Sequence, residues 1–193
     1  MEKILQEKKP RVGGTLGRFL RMTEEFYQKE FGLEVDFNDV GERLNRAGIV
    51  YGSQMIIPVP NGITLELALA YFSKITTLKI EENFDLSKIA DTRKPDKNYA
   101  IIFPGINPCR HSIFCKDVTL LEMLLIKINL YFREKIHFES IIKNGPVFCA
   151  GSSIMKGKVS YHPYFAARNQ GTGGNLLLFD RSGFLENWRV RVV

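Results

Sequence analysis

The chain has 193 residues, 45% hydrophobic and 25% charged, which is the balance of an ordinary globular domain. No apolar run approaches the roughly 20 residues of a membrane-spanning helix, and the charged segment 1–11 lacks the apolar centre of a signal peptide. We therefore predict a single domain (1–193) with no membrane span. Its location is cytoplasmic by default, with export or surface display by another route left open.

The positive charge is concentrated toward the C-terminus. Of the net charge of +6, +4 lies in residues 151–193, which hold six basic and two acidic residues. A basic surface raises nucleic acid or another polyanion as a partner, through Lys156, Lys158, Arg168 and Arg181. Because no nucleic-acid-binding motif accompanies this charge, we favour solubility over nucleic-acid binding as the explanation of the charge.

The residue pattern divides the chain into three regions. They are a helical region (1–48), a scaffold (49–144) with a core helix at 118–134, and a C-terminal region (145–193). In the helical region, Thr15 is predicted to cap a helix that ends near Gly32. Asp36 or Asn38 begins a second, shorter helix, which Gly48 ends.

In the scaffold, Ile49–Tyr51 and Met55–Ile57 are predicted to pair as two strands, the second at an edge because prolines follow it. Thr64 opens a third helix. The charged stretch Lys79–Lys97 is predicted to be a surface loop, and its carboxylates show no spacing that indicates a paired, catalytic arrangement. Tyr99–Phe103 is a buried strand.

The core helix has the clearest start signal in the chain. Thr119 and Glu122 have the spacing of a capping box, in which each residue bonds the backbone N–H of the other. The residues that follow are apolar on nearly every face. A helix of this kind packs in the core, so we predict that it lies beneath the sheet.

The C-terminal region begins with a short apolar strand, Val147–Ala150, and ends with Trp188–Val193, where apolar residues alternate with arginines. This alternation predicts a central, partly buried last strand. Between the two strands, glycines are mixed with aromatic and polar residues, the composition of a binding surface. We predict little regular structure there beyond a short strand at 176–178. The candidate ligand-binding residues are Tyr161, His162, Tyr164, Phe165, Arg168, Asn169, Asn175, Phe179, Asp180, Arg181, Phe184 and Asn187.

Signals for other chemistry are weak. Cys109, His111 and Cys115 could supply three zinc ligands, completed by Cys149 or His137, but the spacing matches no standard site. The glycines at 171–174 lack both the full dinucleotide spacing and a following helix. A third disfavoured alternative is an enzyme that uses Cys149 or His162. We predict no metal, no cofactor and no catalytic residue.

The C-terminal motifs resemble those of a known family. The order of a Thr-Leu-Leu-Glu-Met-Leu-Leu helix, a Val-Phe-Cys-Ala-Gly-Ser strand, a glycine-rich aromatic segment and a Trp-Arg-Val-Arg-Val-Val strand is similar to that of variable proteins of diversity-generating retroelements. The resemblance covers roughly residues 49–193 and is clearest after Asp117. It implies an α+β, C-type lectin-like fold, with a small, twisted, mostly antiparallel sheet, flanking helices and a long irregular C-terminal variable segment. It also implies binding to a protein or surface ligand without catalysis.

The resemblance further implies which residues vary. In such elements, adenines are replaced at random, typically in Asn codons, which cannot then become Lys, Gln, Glu, Met or Trp. All twelve candidate residues satisfy this rule. Lys156, Lys158, Gln170, Glu186 and Trp188 do not, so they are expected to be fixed scaffold.

Overall fold

The computed structural model describes residues 12–52, 54–80, 82, 84–103, 115–134, 147–167, 174–180 and 189–193. The α-helices among these residues are α1 Gly14–Phe31, α2 Asn38–Arg46, α3 Leu65–Ile75 and α4 Leu120–Glu134. The strands are β1 Met55–Val59, β2 Leu78–Ile80, β3 Ala90–Asp91, β4 Tyr99–Phe103, β5 Cys115–Asp117, β6 Val147–Phe148, β7 Ser152–Lys156, β8 Val159–Ala167, β9 Gly174–Asp180 and β10 Arg189–Val192. The predicted α+β class is confirmed.

The first sheet is antiparallel, with the strand order β1-β4-β10-β5. The chain's last strand, β10, is therefore central, and its Val190 is fully buried. One residue beyond β10, Val193 exchanges two backbone hydrogen bonds with Ala100, of 2.8 and 2.9 Å. The predicted position of the last strand is confirmed, although Trp188 lies outside the described residues. β1 is an edge strand, as its prolines indicate.

The second sheet has the order β2-β9-β8-β7-β3, and β6 pairs with β8. Only the β2–β9 pair is parallel within the described strands. The expectation of mostly antiparallel pairing therefore holds in both sheets. The last strand of the chain belongs to the first sheet, whereas all seven candidate binding residues on described strands belong to β8 and β9 of the second.

Helix α4 is the buried helix that its sequence predicts. Thr119 N–H donates to Glu122 Oε2 at 2.9 Å, and Glu122 N–H donates to Thr119 Oγ1 at 3.2 Å, which is the reciprocal pattern of a capping box. Every residue from Leu120 to Leu130 is buried. The helix packs against α3 and β1, so it forms the centre of the hydrophobic core.

The N-terminal helices follow the prediction except at the start of α1. α1 begins at Gly14 with Gly13 as its N-cap, so Thr15 lies inside the helix and does not cap it. Its other end is at Gly32, as predicted, and Gly32 has the left-handed conformation with φ 67°. The α1 residue Tyr27 donates its hydroxyl to Pro58 O at 2.9 Å, which joins α1 to β1.

The predicted pairing of Ile49–Tyr51 with Met55–Ile57 is wrong. Ile49 N–H donates to Leu44 O at 3.0 Å and Gly48 N–H donates to Asn45 O at 3.0 Å, so these residues close the C-terminus of α2 in a Schellman motif. β1 pairs instead with the apolar strand β4, from Met55 opposite Phe103 to Val59 opposite Tyr99.

The stretch Lys79–Lys97 is not simply a surface loop. It includes the end of β2, a 3₁₀ turn at Leu86–Lys88 and the strand β3, which pairs with β7. Phe84 is buried and fixes the stretch to the core. The short β3 escapes the sequence pattern because two paired residues carry no periodicity.

Candidate functional site

Strands β8 and β9 form the regular portion of the candidate site. They pair antiparallel over seven residues, from Tyr161 opposite Asp180 to Ala167 opposite Gly174. The expectation of an irregular segment with a short strand at 176–178 is therefore wrong for these residues. The physical reason is composition, because aromatic and β-branched residues such as Val159, Tyr161 and Tyr164 favour strands.

Pro163 lies inside β8 although proline cannot donate a backbone hydrogen bond. On the edge of β8 away from β9, β7 pairs with residues 159–161 and β6 pairs with residues 164–165. Pro163 occupies the gap between these two partners, where its carbonyl accepts a hydrogen bond of 2.9 Å from Cys149 N–H. A break between partner strands is a position at which the missing donor of proline is tolerated.

The described candidate side chains do not share one face of the sheet. Neighbouring residues of a strand point to opposite faces, so Tyr161 lies on one face and His162 and Tyr164 lie on the other. The prediction of a single exposed face is therefore wrong for these three residues. On its own face, the Tyr161 ring has Lys156 Nζ at 5.5 Å from its centroid. The Tyr164 ring stacks on Phe148, with centroids 5.2 Å apart and planes 7° apart.

Both tyrosines lie outside the hydrophobic core. Tyr161 and Tyr164 are half-buried, and neither belongs to the core cluster of the described residues or packs against it. From the same region of the chain, Cys149, Ile154 and Val190 do belong to that cluster. The hairpin thus presents aromatic surface that the core of the described chain does not use.

His162 is fixed to the scaffold. Its Nδ1 lies 2.8 Å from the carbonyl oxygen of Ser152, and because a carbonyl can only accept, Nδ1 carries a proton and donates it. The other ring nitrogen, Nε2, is buried and has no hydrogen-bond partner among the described residues. His162 therefore anchors β8 to the start of β7. Of the three described candidate side chains, it is the least suited to free variation.

Ser152 links this strand to the rest of the molecule. Its hydroxyl accepts a hydrogen bond of 2.6 Å from the backbone N–H of Leu120, the first residue of α4, and donates one to Asp91 of β3. Through its carbonyl it holds His162. A single buried serine thus joins α4, β3 and β8. We call Asp91, Arg93, Tyr99, Glu122 and Ser152 the polar junction.

Glu122 is the second centre of the polar junction. Its carboxylate accepts from Arg93 Nε at 2.8 Å, Tyr99 OH at 3.1 Å and Thr119 N–H at 2.9 Å, and it makes a further contact with Arg93 Nη2. Arg93 also donates to Asp117 O at 2.6 Å. A buried carboxylate with this number of donors and a counter-charge is a satisfied structural ion pair.

Sequence reasoning missed the roles of Asp91 and Arg93, which it placed in a surface loop. A usable signal was present: a capping-box glutamate at the start of an all-apolar helix is expected to be buried, and a buried carboxylate needs a nearby cation. Burial raises the pKa of the Asp91 carboxyl, and the hydrogen bond from Ser152 opposes that rise.

Cys149 is unsuited to nucleophilic chemistry. Its side chain is fully buried, and burial, with a contribution from the Asp91 charge, raises the pKa of the thiol above its ordinary value. The thiolate is the nucleophilic form, so a thiol held neutral in the core is unreactive. This burial disfavours the enzyme alternative that uses Cys149.

Several predicted residues fall outside the described residues of the chain. They are Arg168, Asn169, Arg181, Phe184 and Asn187 of the candidate site, and Cys109, His111 and His137 of the zinc alternative. Phe165 is placed on the backbone of β8, and Asn175, Phe179 and Asp180 on that of β9. Among the described residues, no three His, Cys, Asp or Glu side chains form a group that could hold a metal ion. No described helix is long and apolar enough to cross a membrane.

No protein-family model, curated protein or solved structure matches the chain. What the protein does is therefore inferred from its own residues and their contacts.

Proposed function

We propose that the protein binds a macromolecular ligand through the hairpin of β8 and β9 and the segment that joins these strands. The observation that carries the proposal is the position of Tyr161 and Tyr164, which are half-buried on the second sheet and outside the core cluster. Tyrosine supplies rigid contact area with a polar end, which is why it is enriched in binding surfaces.

The way the chain is held together supports this proposal. The core lies around α4 and the first sheet, where β10 is central, while the hairpin is attached through β6, β7 and the polar junction. A scaffold of this kind carries the stability and leaves the attached loops and strand ends to carry binding. We propose that the scaffold is C-type lectin-like and that the hairpin region is a retroelement-diversified variable segment.

A stability comparison tests the proposal. A combined variant replaces Tyr161 and Tyr164 with Ser, and a matched control replaces the core residues Tyr27 and Tyr99 with Ser. Tyr161 and Tyr164 are only half-buried and Tyr164 loses its stack on Phe148, so the first variant should lose about 1–2 kcal/mol in all. The control should lose several kcal/mol, because each core tyrosine leaves a cavity and unpaired polar groups.

The opposite ranking would reject the binding hairpin, since it would mean that the tyrosines of β8 hold the fold together. The retroelement proposal has a separate test in the genome. We expect a near-copy of the codons for residues 161–193, differing only at adenines, close to a reverse transcriptase gene. A genome without such a copy would remove diversification and leave the binding proposal in place.

A further inference from the structure

The segment that includes β7 and β8 has no negative charge. Residues 140–179 contain no aspartate or glutamate, although the whole chain has 21 acidic residues. The same stretch includes Lys156 and Lys158, both exposed, on the turn between β7 and β8. Neither lysine forms an ion pair within the described residues. The positive charge of this turn therefore has no counter-charge among them.

The turn holds these lysines in a defined position. Lys156 pairs with Val159 across the hairpin, so only Gly157 and Lys158 connect the two strands. Gly157 has φ 63°, the left-handed conformation that glycine adopts without strain and that two-residue hairpin turns favour. A short turn of this type loses little conformational freedom on binding, which favours its use as a contact surface.

Apolar and aromatic groups accompany the charge. Val159 is 45% exposed and lies opposite Lys156 in the register, on the same face as Tyr161, whereas Met155, which is 58% exposed, lies on the opposite face. Lys156 Nζ lies 5.5 Å from the centroid of the Tyr161 ring. We call Lys156, Lys158, Val159 and Tyr161 the basic hairpin. In the backbone register, Asp180 lies opposite Tyr161 and is the first acidic residue after the stretch 140–179.

We propose that the basic hairpin is a docking surface for an acidic protein or peptide partner. A phosphate backbone would satisfy the lysines but offers nothing to Val159. An acidic protein surface supplies carboxylates for the lysines and an apolar side chain for the exposed Val159. The inference rests on the proposed function through Tyr161, which both surfaces share, and it specifies the class of partner.

Charge reversal at the turn tests the inference. The probe is a fluorescein-labelled peptide of Glu and Leu, compared with the same peptide carrying Gln at every Glu, and binding is followed by anisotropy at low salt. Lys156→Glu with Lys158→Glu should weaken binding of the Glu peptide by about tenfold, the effect expected for two exposed charge pairs. The control Lys74→Glu with Lys97→Glu makes the same change in net charge elsewhere, and it should weaken binding by less than about twofold.

A second pair of variants separates a protein partner from a nucleic acid. Val159→Ser keeps both lysines, so it should weaken binding of the Glu-Leu peptide and leave binding of single-stranded DNA unchanged. Its control is Met155→Ser on the opposite face, which should change neither. Equal losses in the two charge-reversal variants would overturn the inference. So would tighter binding of DNA than of the Glu peptide, or equal binding of the Glu and Gln peptides.

Circular dichroism melts check that each variant is folded. If charge reversal lowers the melting temperature, Lys156→Gln with Lys158→Gln is the milder pair of substitutions. The outcome is distinguishable from that of the proposed function. The stability comparison measures whether the tyrosines of β8 are dispensable for folding, whereas the peptide titrations measure which class of partner the basic hairpin between β7 and β8 binds.

Discussion

Removing the guanidinium of Arg93 should destabilise the protein far more than removing an ordinary surface arginine. The carboxylate of Glu122 has no exposed surface, whereas the Arg93 side chain is 20% exposed. In Arg93→Met, Glu122 keeps the hydrogen bonds from Tyr99 and Thr119 but loses its counter-charge. Breaking a buried ion pair on one side costs about 3–5 kcal/mol, and the partial exposure of Arg93 places our expectation near the lower end, about 3 kcal/mol.

Urea unfolding, followed by far-ultraviolet circular dichroism, measures this loss. The matched control is Arg43→Met: the Arg43 side chain is 25% exposed, but its partner Asp39 is 73% exposed. An exposed pair of this kind contributes at most about 1 kcal/mol, and the hydrogen bond from Arg43 Nη2 to Asn98 O contributes about 1 kcal/mol more, so Arg43→Met should lose at most about 2 kcal/mol. Adding Glu122→Gln to Arg93→Met should recover at least about 1 kcal/mol, because a neutral amide replaces the unpaired charge. Equal losses in the two arginine variants, or no recovery with Gln, would refute the ion-pair account of the polar junction.

Three further predictions concern buried groups. Burial raises the pKa of Asp91, so the folded protein binds this proton more tightly than the unfolded chain does. The stabilisation that protonated Asp91 contributes is therefore lost as the pH rises from the ordinary pKa of the carboxyl through the raised pKa. Asp91→Asn, which keeps an oxygen for Ser152, should therefore gain stability relative to the parent between about pH 4 and neutral pH, as measured by melts across that range. A Cβ on Gly151 would lie 2.7 Å from Asp117 O, so Gly151→Ala should cost about 1–3 kcal/mol in urea unfolding. In a variant lacking Cys109 and Cys115, Cys149 should react with a disulfide reagent only as fast as the protein opens; fast labelling of the native protein would contradict its burial.

Local signals in the sequence predicted the helices and the strands β1, β4 and β10 of the first sheet, but neither the partner of β1 nor the strand β5. Thr64, Gly48 and the Thr119–Glu122 pair mark helix ends through bonds made within a few residues, so their effect does not depend on the rest of the fold. Alternation along β10 likewise reports burial of one face directly. Where a pattern and its physical cause lie in the same short segment, sequence reasoning succeeds.

The predictions that were wrong concern residues whose structure depends on contacts with distant parts of the chain. β8 has partners on both edges. The sequence around Pro163, with His162 before it and Tyr164 after it, does not alternate between apolar and polar residues, so no periodicity marks it as a strand. Pro163 itself argues against a central strand until the gap between β6 and β7 is known. The ion pair of Arg93 with Glu122 joins residues 29 positions apart. Contacts of this range depend on how the two sheets meet, which no local pattern records.

The polar junction connects the hairpin of β8 and β9 physically to the core. His162 of β8 holds the carbonyl of Ser152, while the hydroxyl of the same serine accepts from the first turn of α4 and donates to Asp91. Each of these groups is buried or half-buried, so loss of one partner leaves another unsatisfied. The hairpin can therefore vary at Tyr161 and Tyr164, whose rings lie outside the core, only while His162 keeps β8 in place. A randomised library should for that reason retain a hydrogen-bond donor at position 162 among its folded members while positions 161 and 164 drift, and sequencing the protease-resistant fraction would show whether it does.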